Sequence, residues 1–170
     1  MRTYHKVVWL LLTVAFSAVA EAGLEGRIVG YGTYTVTDKY KQFRTPGSNS
    51  GVSRAYMDPP TFTAVTDRIR AKPGVRFGIV FELTNLPKAQ SARLAIVLVN
   101  KHPLLRAPDG TTSTGVEQPV TIAVGGRDRI VSWTGFGFGH DYELVPGTWT
   151  FEVRTPSRLL CKKDFTVVRK

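Results

Sequence analysis

Apolar and polar side chains alternate along most of this sequence. In the stretch VRFGIVFEL every second residue from Val75 to Leu83 is apolar, and in TWTFEVR the residues Trp149, Phe151 and Val153 share one side. A period of two places such side chains on one face of a β-strand, because successive residues of a strand point to opposite faces. No helical period of useful length follows residue 22. The pattern therefore predicts an all-β protein.

The number and spacing of these stretches favour one architecture. About seven to nine short strands are separated by turn sequences such as Lys72-Pro73-Gly74 and Pro146-Gly147. Short strands with Gly and Pro between them are typical of antiparallel sandwiches and barrels. The segment RLAIVLVN, residues 93–100, is apolar on both faces and is predicted to be a central strand. We predict a single immunoglobulin-like antiparallel β-sandwich over residues 23–170.

Large side chains at alternating positions predict the core between the two sheets. The corner ELVPGTW resembles the one that leads into a late strand of immunoglobulin-like domains, and it would direct Trp149 inward. The predicted core consists of Phe77, Ile79, Phe81, Trp133, Phe136, Phe138, Trp149, Phe151 and Phe165.

The run WTGFGFG, residues 133–139, carries glycine at every second position. A phosphate-binding loop would need such glycines at the start of a helix, where backbone N–H groups converge. Here Pro146-Gly147 and a new strand follow too soon. As a strand, the run places Phe136 and Phe138 on one face and leaves the other face bare, so that an aromatic ring can approach it closely. The alternative use is that the two rings are exposed and stack on sugars.

The segment from about residue 38 to residue 60 shows little periodicity and many Gly, Ser and Pro residues. We expect it to be a long loop inside the domain. Long loops in compact domains are often functional, and this one combines aromatic with basic residues. It is the first candidate for a contact region.

Residues 1–22 have the features of a secretory signal peptide. A basic start precedes an apolar run from Val7 to Val19, and small residues follow at the spacing that signal peptidase accepts. We expect cleavage after Ala20 or Ala22. The run is shorter than the roughly 20 residues of a membrane span, although a retained interfacial anchor is the alternative. The predicted location is therefore periplasmic or secreted.

The charge of the chain suggests the kind of partner. Removal of the signal peptide takes away Arg2, Lys6 and Glu21 and changes the net charge from +10 to +9. Such a charge favours anionic partners, although dispersed basic residues can simply face water. The candidate binding residues are Tyr40, Phe43, Arg44, Tyr56, Arg127 and Arg129. The expected partner is an envelope protein or an anionic envelope molecule, and no specific nucleic acid is expected.

Several stretches resemble a bacterial family that is known as domain of unknown function 3859. They are TDRIRAKPGVRFGIVFEL, HPLLRAPDG, YELVPGTWTFEV and LLCKKDFTVV, which occur here in that order. The resemblance covers the chain from the GYGTY strand onward. It implies an exported or envelope-associated bacterial protein with a β-sandwich fold and no assigned reaction, and it supplies no catalytic residues.

No arrangement of residues predicts catalysis, a metal or a cofactor. His102, His140, Asp141 and Cys161 do not have the spacing of zinc ligands. Acidic residues such as Glu82, Glu143 and Glu152 are predicted on outer faces or in turns, and none stands out as one of a glycosidase pair. The parity of LLCKKDFTVV places Cys161 toward the core, and a bulge would explain why Lys163 breaks the alternation. An exposed Cys161 that links two chains is the alternative.

These observations favour an exported, non-catalytic β-sandwich that binds a partner. An open sheet edge, able to accept an added strand, is one way in which a sandwich does so. A carbohydrate-active enzyme or a lectin-like domain acting on envelope glycans remains the alternative, and a subunit of a larger assembly is a third reading. The sequence leaves the ligand and the oligomeric state open.

Overall fold

The structure, a computed structural model, describes residues 23–37, 39–45, 51–56 and 58–169. The predicted signal peptide, residues 1–22, lies outside the described residues. Within them, no helix is both long and apolar enough to cross a bilayer. The strands of the described ranges are β1 (Glu25–Thr35), β2 (Tyr40–Arg44), β3 (Val52–Tyr56), β4 (Thr61–Ala64), β5 (Arg68–Arg70), β6 (Arg76–Thr84), β7 (Arg93–Arg106), β8 (Thr112–Ala123), β9 (Arg129–Gly137), β10 (Gly147–Arg154) and β11 (Leu159–Val168). A 3₁₀ turn, Asp141–Glu143, precedes β10.

Two sheets form an immunoglobulin-like β-sandwich, as predicted. The four-stranded sheet has the order β4-β1-β6-β9, and the five-stranded sheet has the order β5-β11-β10-β7-β8. The described pairings are antiparallel except that of β11 with β5, which is parallel. The expectation of a purely antiparallel sandwich was therefore wrong at this strand, which is only three residues long.

Phe77 is the centre of the core between the sheets. Its ring centroid lies 5.3–5.7 Å from those of four other fully buried rings, three of them in the five-stranded sheet and the fourth that of Phe138, which follows β9. Edge-to-face pairs at such distances add to the free energy that burial of the rings contributes. The predicted core residues that are buried are Phe77, Ile79, Phe81, Phe138, Trp149, Phe151 and Phe165. Phe136 is half-buried against this cluster.

Trp133 is the predicted core residue that lies elsewhere. In the register of β9 with β6, Trp133 pairs with Val80, whereas the neighbouring pairs Ser132–Phe81 and Thr134–Ile79 face the core. Trp133 therefore projects from the outer face of the four-stranded sheet. The size of the indole suggested burial, but the parity of the strand places two small polar residues inside instead.

The segment predicted as a long loop, residues 38–60, contains two strands. β2 and β3 pair antiparallel over five positions and form a two-stranded sheet of their own. The loop expectation was wrong for these residues. The two segments YKQFR and VSRAY mix polar and aromatic residues, and they lack the clean apolar stripe by which the other strands are recognised.

Candidate binding surfaces

The hairpin of residues 39–56, which we call the basic hairpin, is held at both ends of its ladder. The backbone N–H of Thr45 donates to the carbonyl oxygen of Gly51 at 3.0 Å, beyond the last strand pair. At the opposite end, the hydroxyl of Thr37 donates to Oδ2 of Asp58 at 2.7 Å. The hairpin leaves the sandwich where β1 ends and returns where β4 begins.

The charge of the basic hairpin has one sign. Lys39, Lys41, Arg44 and Arg54 are exposed, and the sequence has no Asp or Glu from residue 39 to residue 57. The guanidinium carbon of Arg54 lies 5.0 Å from the centre of the Tyr40 ring, which is itself 42% exposed. This distance is within the range of a cation–π contact. The hairpin thus presents four exposed cations, of which Arg54 lies against an accessible ring.

Four of the predicted binding residues fall in this hairpin. Tyr40 and Arg44 are exposed. Phe43 and Tyr56 occupy described strand positions, opposite Ser53 and Tyr40, but their side chains lie outside the described part of the structure. The prediction did not include Lys39, Lys41 and Arg54, although the run of uncompensated positive charge is visible in the sequence.

The other two predicted residues lie at a different place. Arg127 closes the turn between β8 and β9: its Nε donates to the carbonyl oxygen of Val124 at 2.8 Å, and its Nη2 donates to that of Ala123. In the register of the four-stranded sheet, Arg129 of β9 lies opposite Thr84 of β6. Thr84 in turn lies opposite Glu25, at the start of β1. The basic hairpin follows the end of β1. The structure therefore separates the six predicted residues into two groups at opposite ends of the sheet.

Arg129 belongs to a small charge cluster that the sequence analysis missed. Its Nη1 lies 3.5 Å from Oε2 of Glu82, and Nε of Arg27 donates to Oε1 of the same carboxylate at 2.8 Å. The glutamate side chain is 7% exposed, whereas both arginine side chains are more than 70% exposed. Glu25 is two residues from Arg27 in β1 and lies on the same face of the four-stranded sheet. The cluster holds two arginines in place and has little net charge once Glu25 is counted.

Aromatic rings cover part of the outer face of the four-stranded sheet. The Tyr34 ring packs edge-on against those of Trp133 at 5.9 Å and Phe62 at 6.4 Å. A Cβ on Gly135 would lie 2.4 Å from the Tyr34 hydroxyl oxygen, and a Cβ on Gly30 would lie 2.8 Å from the Phe62 ring. These glycines therefore let the rings lie directly on the sheet, as the bare face of the WTGFGFG run predicted.

Three carboxylates of the described residues are buried, although they lie, as predicted, on outer faces of the sheets or in a turn. Besides Glu82, these are Glu143 and Glu152. The Glu143 carboxylate accepts the backbone N–H of Gly139 at 2.6 Å and that of His140 at 3.0 Å. Buried carboxylates in this protein are thus held by cations or by backbone N–H groups, an arrangement that stabilises a fixed charge.

Glu152 lies on the outer face of the five-stranded sheet between two cations. The ammonium of Lys101 donates to its Oε1 at 2.7 Å, and Nε of Arg154 donates to its Oε2, also at 2.7 Å. Burial by itself raises the pKa of Glu152, but these hydrogen bonds and charges outweigh burial and leave the pKa below its usual value. The carboxylate is therefore ionised at neutral pH and unsuited to act as a general acid.

His102 is buried between the sheets. Its ring lies 4.8 Å from that of Trp149, and its Nδ1 is 2.8 Å from the carbonyl oxygen of Pro103. Burial lowers the pKa of His102, while the backbone hydrogen bond and the charge of Glu143 oppose the change. Among the described residues, no group of three or more His, Cys, Asp and Glu side chains could hold a metal ion.

Cys161 pairs with Val153 in the ladder and packs, half-buried, against the core. Burial raises the pKa of its thiol to about 11. Lys163 stays in phase with it, because the register shift lies between Val153 and Arg154 and not at the lysine. The bulge predicted at Lys163 was therefore wrong. Its ammonium lies 4.0 Å from the Tyr31 ring centre and 3.6 Å from Oδ2 of Asp67.

Comparison with known proteins identifies the sandwich but not its ligand. A family model described as domain of unknown function (DUF3859) matches residues 24–167. No curated protein is similar in sequence. An immunoglobulin-like protein from Pseudomonas aeruginosa, of known crystal structure, is 23% identical with a TM-score of 0.56, over 86% of this chain and 99% of that one. This likeness concerns the fold.

Weaker structural similarities involve parts of two larger proteins. One is an alkylpurine DNA glycosylase, AlkC, of Pseudomonas fluorescens, with 14% identity and a TM-score of 0.37 over 61% of this chain and 28% of that one. The other is a β-glucosidase of Kluyveromyces marxianus, with 11% identity and a TM-score of 0.39 over 86% of this chain and 14% of that one.

Proposed function

The chain belongs to the family described as domain of unknown function (DUF3859), and from this premise we propose that it is an exported, non-catalytic module that binds an anionic molecule of the bacterial envelope. The binding element is the basic hairpin. The observation that carries the proposal is the presence of four exposed cations with no acidic residue from residue 39 to residue 57.

The ion pairs of the sandwich support the choice of this element. On the five-stranded sheet, Lys101 and Arg154 pair with Glu152, and Lys162 pairs with Asp164. On the four-stranded sheet, Arg27 and Arg129 share Glu82. These cations of the sandwich are therefore paired locally. The charge of the basic hairpin is uncompensated along the sequence, and it is available to phosphate or carboxylate groups of a ligand.

The aromatic residues of the hairpin suit an interfacial partner. Tyrosine rings have an apolar body and a polar tip, and they are favoured where a surface is partly apolar and partly wet. An exposed Tyr40 beside lysines and arginines fits a layer of anionic headgroups. The predicted signal peptide would deliver the protein to such a surface outside the cytoplasm.

Sedimentation of the processed protein with vesicles tests the proposal. We expect binding to vesicles of phosphatidylglycerol and none to vesicles of phosphatidylcholine. Each basic residue near an anionic surface contributes about 1 kcal/mol, so the variant K39Q/K41Q/R44Q/R54Q should bind on the order of 100- to 1,000-fold more weakly. Binding should also fall steeply as salt rises, because salt screens these charges.

A matched variant separates the hairpin from net charge. R68Q/R70Q/K72Q/R93Q removes the same four charges from exposed positions of the sandwich. We expect this variant to bind nearly as well as the native protein. Equal loss in the two variants would show that overall charge is responsible and would contradict a hairpin site, and salt-insensitive binding would contradict the anionic partner.

The aromatic cluster of the outer face favours a second candidate, a lectin-like function. Trp133 and Phe62 are half-buried, and the exposed Val131 is two residues from Trp133 on the same face of β9. A sugar ring could stack on them without any anionic group. Binding of neutral oligosaccharides that is lost in W133A and retained in the hairpin variant would favour this alternative.

A further inference from the structure

The four strands at the ends of the two sheets differ in how well they are protected. β4 and β5 are only four and three residues long. β8 is longer, but it contains Pro119, and its register with β7 shifts between Lys101 and Leu105. Short strands, prolines and irregular pairing are the features by which proteins discourage further pairing at an edge.

β9 has none of these features. It pairs with β6 over nine consecutive positions without a shift, and it pairs with no other described strand. Its central residues, from Ile130 to Phe136, include no charged residue and no proline. A regular, uncharged end strand of this length is a template for the addition of another strand.

The opposite sheet extends past β9. Ring contacts place β9 over β10 and β7, since Phe136 lies 4.8 Å from Trp149 and 6.2 Å from His102. β8 lies beyond β7 at the end of the five-stranded sheet, and no described strand of the four-stranded sheet lies opposite it. Its inward residues Val120 and Ile122 are only half-buried, although they pack against the core. The position beside β9 and opposite β8 is therefore open.

A buried polar group lies on the same side of the sandwich. Asn100 of β7 pairs with Val116 of β8 and with Phe151 of β10, whose ring is in the core, so its side chain faces inward. Asn100 is 7% exposed, and its Oδ1 accepts no hydrogen bond from the described residues. An unsatisfied buried acceptor is costly, and a donor brought in from the β8 side would satisfy it.

We infer that β9 binds an extended peptide segment of a partner protein, which becomes a fifth strand of the four-stranded sheet. A second copy of this chain does not fit, because its own five-stranded sheet would occupy the space that β8 already fills. The space beside β9 can accommodate one added strand, but it cannot accommodate a second sheet packed against that strand.

The chemistry of the site defines the peptide. Its inward side chains alternate with outward ones and are apolar, to cover Val120 and Ile122. Arg127, whose described hydrogen bonds go to backbone carbonyl oxygens, precedes β9, and the exposed Asp141 follows the other end of the strand. The complementary peptide therefore carries an acidic residue at the Arg127 end, and this difference in charge between the two ends sets its direction.

Selection from a phage-displayed library of random peptides of about nine residues, the length of β9, tests the inference. We expect enriched peptides that alternate apolar and polar residues with an acidic residue near one end. Peptide binding should protect backbone amides of β9 from hydrogen exchange. N-methylation of the alternate peptide nitrogens whose N–H groups face β9 should abolish binding, because it removes the donors of the β-ladder without changing the side chains.

A matched pair of variants locates the site. T134K places a charge on the inward side of β9, which should weaken the selected peptides at least about tenfold. T121K introduces the same residue at an exposed position of β8 and should have no effect. A failure to enrich any peptide, equal binding to the two variants, or binding that survives N-methylation would overturn the inference. Because no hairpin residue is involved, the result is independent of vesicle binding.

Discussion

At the scale of single residues, the close approach of the Tyr34 ring to Gly135 makes the packing sensitive to one added atom. We expect G135A to destabilise the fold by about 1–3 kcal/mol, because a Cβ would lie 2.4 Å from the Tyr34 hydroxyl oxygen and 2.7 Å from the Phe77 carbonyl oxygen. Urea unfolding measures the change. G139A is the control, since its Cβ would meet only the Glu143 carboxylate at 3.7 Å. Equal stabilities of the two variants would contradict this packing.

Cys161 provides a second test at the same scale. Only the thiolate reacts with alkylating reagents, and burial raises the pKa of this thiol to about 11. Iodoacetamide should therefore modify the folded protein at pH 8 far more slowly than the urea-unfolded protein, by roughly 100-fold or more. Mass spectrometry gives both rates. A reducible dimer on a non-reducing gel would instead support the alternative of an exposed cysteine that links two chains.

At the scale of elements, alternation predicted the strands that have a continuous apolar stripe and failed for the others. β6 and β10 are clear because large apolar residues occupy every second position from Phe77 to Leu83 and from Trp149 to Val153, and all of these are buried in the core. The basic hairpin was missed as a structured element because YKQFR has no such stripe, so nothing local distinguishes it from a loop. The contact of Arg54 with Tyr40 depends on the register of this ladder, which residue types alone do not specify.

The basic hairpin should be separable from the sandwich. Neither of its strands joins the two large sheets. Replacement of residues 39–57 by a short Gly-Ser linker should therefore leave the midpoint of thermal unfolding within a few degrees of the native value, since a longer or shorter surface connection changes the stability only slightly. The same variant should lose binding to phosphatidylglycerol vesicles. Loss of cooperative unfolding would mean that the hairpin is part of the folding unit.

At the scale of the whole molecule, buried ionisable groups connect stability to pH. Two groups with lowered pKa values belong to different layers of the fold: His102 lies between the sheets, and Glu152 lies on the outer face of the five-stranded sheet. The unfolded chain binds a proton at the ordinary values of 6.5 and 4.5, whereas the folded protein binds each proton only at lower pH. Acid therefore favours the unfolded state in two separate windows.

The free energy of unfolding should accordingly be highest above pH 6.5 and fall in two stages on acidification. The first loss begins below pH 6.5, through His102, and the second begins below pH 4.5, through Glu152. Urea titrations across this range measure both. H102F, which keeps a ring against Trp149, should remove the first stage alone, and E152Q should reduce the second. H140Q, which replaces an exposed histidine, is the control for replacement of a histidine outside the core. If H102F retains the loss between pH 6.5 and 5, the titrating group is not the buried imidazole.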